Sequence, residues 1–237
     1  INNPFSLITE LNTGKSIYLD ESDSLALDFQ YITQNGLIIN KTVVFYGNSY
    51  ESIHHYSIEN ADLLINNVEL IWSDGLAPTE KQHIEDVTYG NATIGQSGET
   101  ETVSIAKAED ATPYSQFYGN TNWAAVRTKY FIAALLSKNT SDYASISSQS
   151  ITYDNRGITP LYNVGIGYNR YVDKIYSSVY LGPLDIDHIE KLNNDLDKIM
   201  NFGFSVIRPI GKLILWLLKT LHSIIHLNYG ICLIIFA

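Results

Sequence analysis

The chain has 237 residues, 45% of them hydrophobic, and a formal net charge of −10. That length holds one large all-β domain or two small domains. The acidity excludes the basic surface that nucleic acid binding needs, and the single cysteine, Cys232, excludes an intrachain disulfide and a thiolate zinc site.

From Ile1 to about Gly182 the sequence reads as short strands. Leu25-Ala-Leu-Asp-Phe-Gln-Tyr-Ile alternates apolar and polar, which predicts Leu25, Leu27, Phe29 and Tyr31 on one face. Asn35-Gly36 signals a hairpin into the run from Leu37 to Tyr46. Further strands are predicted over Tyr50–Ile58, Val68–Trp72, Thr100–Ala106, Tyr143–Tyr153, Pro160–Gly167 and Lys174–Leu181. Turn clusters such as Gly95-Gln-Ser-Gly separate them, and many short strands so punctuated predict a sandwich. Thr79–Val87 and Asn122–Arg127 are read as short helices. Behind Pro183, Asp185 to about Asn193 is read as a helix, with Asp185, Asp187 and Glu190 favouring its N-terminal dipole. Its Ile186, Ile189 and Leu192 share a face that would pack on the sandwich.

Charge changes sign along the chain. All 25 Asp and Glu and 12 of the 15 Lys and Arg precede residue 201, leaving −13 there and +3 beyond. On a helix at about 100° per residue, Lys212, Lys219, His222 and His226 fall within about 40° of Arg208. Ile214, Leu217 and Leu221 fall on the opposite side, and Trp216 lies at the border. A basic stripe on an apolar helix is the pattern of a helix lying in a membrane surface. A membrane-spanning helix would instead carry Arg208, Lys212 and Lys219 into hydrocarbon, at about 2.5–3.5 kcal/mol for a central charge. The expected membrane-interface residues are therefore Arg208, Lys212, Trp216, Lys219, Ile214, Leu217 and Leu221. The chain starts at Ile1 without a methionine and stops within a second apolar run, so it reads as an excerpt of a longer protein.

Catalytic constellations are weak. His54 and His55 are neighbours on a strand, so their side chains point to opposite faces and cannot share a metal. Asp20-Glu-Ser-Asp reads as a solvated turn, and Gly165-Ile-Gly lacks a phosphate-loop pattern. Neither a catalytic residue nor a cofactor or metal site is expected.

The C-terminal third resembles a known family. Tyr180-Leu-Gly-Pro-Leu-Asp, then Phe202-Gly, then Ile207-Arg-Pro-Ile-Gly-Lys-Leu-Ile-Leu-Trp-Leu-Leu-Lys-Thr-Leu-His, then Asn228-Tyr-Gly-Ile is similar to the YidC membrane-protein insertases where their periplasmic domain meets the membrane core. Asn122-Trp-Ala-Ala-Val-Arg-Thr-Lys-Tyr-Phe-Ile-Ala-Ala resembles the family's late periplasmic segment. The resemblance implies a mainly β fold, a mutarotase-like β-supersandwich over residues 1–182, followed by C-terminal helices. It implies a linking helix and turn over 183–201, an in-plane amphipathic helix over 202–227, and the start of a transmembrane helix over 228–237. The implied function is non-enzymatic: assisting insertion and folding of inner-membrane proteins, alone or with the Sec translocon. The implied partners are the lipid bilayer, nascent membrane proteins and Sec components, with the β domain in the periplasm of a bacterial inner-membrane protein. The alternative reading is a membrane-tethered carbohydrate-binding or mutarotase-like sandwich, for which His54, His55 and His83 are the candidate residues.

Overall fold

The computed structural model describes residues 5–9, 16–64, 66–78, 83–105, 111–153, 157–169, 171–200, 213–214 and 216–220. The chain divides into two compact units, Ile1–Ile199 and Met200–Ala237.

In the first unit the strands are β1 (Ser6–Leu7), β2 (Ser24–Ile32), β3 (Ile38–Tyr46), β4 (Glu51–Glu59), β5 (Val68–Trp72), β6 (Asn91–Gln96) and β7 (Glu99–Val103). They continue with β8 (Ser115–Tyr118), β9 (Thr121–Arg127), β10 (Phe131–Ser137), β11 (Tyr143–Tyr153), β12 (Gly157–Tyr168) and β13 (Lys174–Pro183). Nine form one sheet in the order β1-β2-β3-β4-β13-β10-β9-β6-β7, and four form a second in the order β5-β12-β11-β8. All pairings are antiparallel. The result is the expected β-sandwich.

The β2–β3 hairpin forms where Asn35-Gly36 signals it. Leu37 and Thr33 close the turn through Thr33 N–H to Leu37 O at 2.9 Å, and Gly36 takes φ 89°, which glycine adopts without steric cost. Along β2, Leu25, Leu27, Phe29 and Tyr31 are half-buried while Ser24, Ala26, Asp28 and Ile32 are exposed, so the period-two reading holds.

The smaller sheet lies over only part of the larger one, with β5 over β10 and β11 and β12 over β6 and β9. The core fills that overlap: Ile94, Ala124, Val126 and Leu135 face Ile146, Val164 and Ile166. The opposite face of β9, β10 and β13 is buried as well, at Trp123, Ile132, Leu136 and Tyr180. Segment 184–199 returns across it. Leu184 N–H donates to Tyr130 O at 2.7 Å, Arg127 Nη1 to Ile199 O at 3.0 Å, and Lys198 Nζ to Gly98 O at 2.7 Å. Its buried Ile186, Ile189, Leu196 and Ile199 supply the apolar cover.

The three helix readings fare differently. Asn122–Arg127 is not helical; Thr121–Arg127 is strand β9, paired with both β6 and β10. It lies between two covered faces, so apolar residues run on without alternation and periodicity cannot separate helix from strand. The same double burial hides β10, whose Phe-Ile-Ala-Ala-Leu-Leu-Ser run showed no period. Of the first predicted helix, His83 to Val87 lies within α1, His83–Tyr89, while Thr79–Gln82 lie outside the described residues. The third is shorter than expected: α2 covers Ile186–Ile189, and a 3-10 turn continues over Glu190–Leu192. Asp185 is its N-cap, its carboxylate accepting Asp187 N–H at 2.8 Å.

Within the second unit, residues 213–214 and 216–220 are helical, with Leu213, Ile214 and Trp216 exposed. Among the described residues no helix is long and apolar enough to cross a membrane. Arg208, Lys212 and Leu221 lie outside the described residues; Ile214, Trp216, Leu217 and Lys219 belong to the helical stretch.

Candidate functional site

The partial overlap of the two sheets leaves a step. β5 is the edge strand of the smaller sheet, and a groove of about 610 Å³ lies between it and the inner face of β13, β4 and β3. Cross-strand register fixes which side chains line it, because directly opposed residues share a face. Val43 pairs with His54, His54 with Ser177, and Val179 with Leu135, which places all five on the inner face. Leu27 opposes Val43 and Lys41 opposes Tyr56, so they join it. Leu70 and Trp72 on β5 form the wall, with Ile71 53% exposed at its rim.

Polar groups on the floor are few and close together. Ser52 Oγ lies 2.9 Å from His54 Nε2 and donates to Val179 O at 3.4 Å. The His54 and Tyr56 rings stack with centroids 6.4 Å apart, and Lys41 Nζ sits 5.6 Å from the Tyr56 centroid. His54 Nδ1 is buried without a hydrogen-bond partner. Burial, then Lys41, then His55 push the His54 pKa down to about 4, so the ring is neutral at pH 7. Burial also lowers the Lys41 pKa and pushes the Tyr56 phenol up to about 12.

His54 and His55 do not converge. His54 lies on the groove floor. His55 points to the other face, edge-on to the Tyr176 ring at 5.0 Å, as strand alternation requires. His83 begins α1, on a separate element. Among the described residues no group of His, Cys, Asp and Glu could hold a metal ion. Asp20 to Asp23 form a turn, with Asp20 N–H donating to the Asp23 carboxylate at 3.1 Å. Lys41 and the open side of β5 were not singled out in the sequence. Lys41 stands in an ordinary alternating strand, and only the register of β3 against β4 turns it into the groove.

The first unit is thus an antiparallel two-sheet sandwich with a groove beside β5. The model of the YidC periplasmic domain matches residues 10–217. The chain belongs to that family, which is one of membrane protein insertases and not of enzymes. It is 29% identical over 231 residues to membrane protein insertase YidC of Chloroherpeton thalassium, covering 94% of this chain and 39% of that protein. Insertases of the same name from Chlorobium limicola and Chlorobium phaeovibrioides are 30% and 32% identical over 197 and 204 residues. Those matches cover 81% and 83% of this chain and 33% and 34% of the relatives. The chain thus spans about two-fifths or less of the relatives it matches.

Proposed function

We infer that this chain is the periplasmic β domain and the entry to the membrane core of a bacterial inner-membrane insertase. The observation that carries the reading is the match over residues 10–217, which runs from the sandwich into the basic, apolar segment. The sandwich occupies residues 1–182, and residues 183–201 link it to an amphipathic helix over 202–227. Residues 228–237 begin a transmembrane helix. Arg208, Lys212 and Lys219 sit at the lipid head groups, Trp216 at the interface, and Ile214, Leu217 and Leu221 in the acyl region.

An insertase makes and breaks no bonds. It lowers the cost of carrying polar flanks of new membrane proteins past hydrocarbon, where unpaired backbone and charge are expensive. Its partners are the bilayer, nascent membrane proteins and components of the Sec translocon, and it assists folding as a chaperone. The test exchanges this chain for the matching segment of the Chloroherpeton thalassium insertase and reconstitutes the hybrid in vesicles. Insertion of a single-span client, read by protease protection, is expected at the parent's rate. A folded hybrid that inserts nothing overturns the reading.

A further inference from the structure

Strand β5 pairs with β12 on one side; among the described residues no strand pairs with its other edge. That edge faces the groove. Its five residues span about 17 Å, enough to register an extended segment of similar length. An open strand edge presents unpaired N–H and C=O groups and is a template for another strand.

The floor beside it has a distinct charge. The inner faces of β2, β3, β4 and β13 carry apolar side chains, serine, tyrosine, neutral His54 and one charge, Lys41. Among the described residues no carboxylate lies within ion-pairing distance of Lys41. Two acids, Glu51 and Glu69, also line the groove; Tyr114 and Ser145 hydroxyls hold the Glu69 carboxylate on the face of β5 opposite Leu70, and Glu51 opposes Tyr180 across β4 and β13. A protein of net charge −10 therefore presents a cation without an ion-pair partner among the described residues in a largely apolar groove.

We propose that this groove docks an extended, translocated flank of a client membrane protein, which adds a strand to the open edge of β5 and places a carboxylate at Lys41. The proposal rests on the insertase reading and names the substrate class for it. Flanks delivered to the non-cytoplasmic side are poor in Lys and Arg, so they bring no cation to repel Lys41. Apolar side chains on one face of the segment meet Phe45, Tyr56, Val179 and Leu181, while Leu70 and Trp72 form the wall. Strand addition satisfies the segment's backbone, and the single cation selects acidic over basic sequences.

A labelled peptide of alternating Val and Thr with one central Glu serves as the probe, and anisotropy with the 237-residue chain reads binding. Saturable binding is expected, with the Gln peptide about tenfold weaker and the Lys peptide weaker still. Lys41→Gln should bring the Glu peptide to the Gln level, and Lys41→Arg should keep the preference. A peptide N-methylated at alternate amides should not bind. Equal binding of the methylated peptide, an unchanged preference in a folded Lys41→Gln protein, or saturable binding of decanoate with no peptide binding each overturns the proposal. The hybrid insertion assay separates the two readings. Insertion without peptide binding removes the groove proposal alone, and Glu-selective binding without insertion supports the groove while removing the insertase reading.

Discussion

Trp123 on β9 lies directly opposite Gly95 on β6, and its indole occupies the space that a Cβ at residue 95 would need. Trp123 is 1% exposed, so the ring has nowhere to move without disturbing the segment that covers it. Glycine at 95 is thus a packing requirement set by its cross-strand partner.

Gly95→Ala should cost about 1–3 kcal/mol through overpacking, and Trp123→Ala about 3–5 kcal/mol through the cavity it leaves. The double variant should cost less than the two combined, because the alanine at 95 then fills space the indole has left. Urea unfolding of the four proteins measures the coupling. Strict additivity would show that the two positions do not share one space.

His54 makes stability depend on pH. Its folded pKa, about 4, lies below the ordinary 6.5, so the unfolded state binds the proton first as pH falls. Stability contributed by keeping the ring neutral is complete above about pH 6.5 and is lost as pH drops toward 4. The ring is partly open to solvent, which reduces the effect to on the order of 1–2 kcal/mol. His54→Gln should flatten this part of the profile. Parallel stability profiles for the two proteins between those limits would remove His54 as the titrating group.

The proposed interfacial helix can be tested as a peptide of residues 205–226. It should bind anionic vesicles as a helix, with each basic residue near the surface contributing about 1 kcal/mol. Leu217→Glu should weaken binding at any salt. Replacing Arg208, Lys212 and Lys219 with Gln should weaken it mainly at low salt, because charge attraction is screened. A helix axis along the membrane normal in oriented bilayers would refute the in-plane placement.

Much of the sandwich is readable in the chain itself. Strands β2, β3, β4, β5, β11, β12 and β13 stand near their expected limits, because alternation and turn residues mark strands that have one face less covered or clear punctuation at their ends. Asp185 is legible for a similar local reason, since capping depends on residues within one turn. Strands β9 and β10 were illegible: covered on both faces, they lose the polar half of the pattern. The groove belongs wholly to the tertiary structure. The sequence by itself determined that β2 alternates and that His54 and His55 part to opposite faces. Only the packing decided that, among the described residues, the smaller sheet stops at β5 with an unpaired edge beside the groove that holds Lys41, because sheet order and overlap come from pairings between residues far apart in sequence.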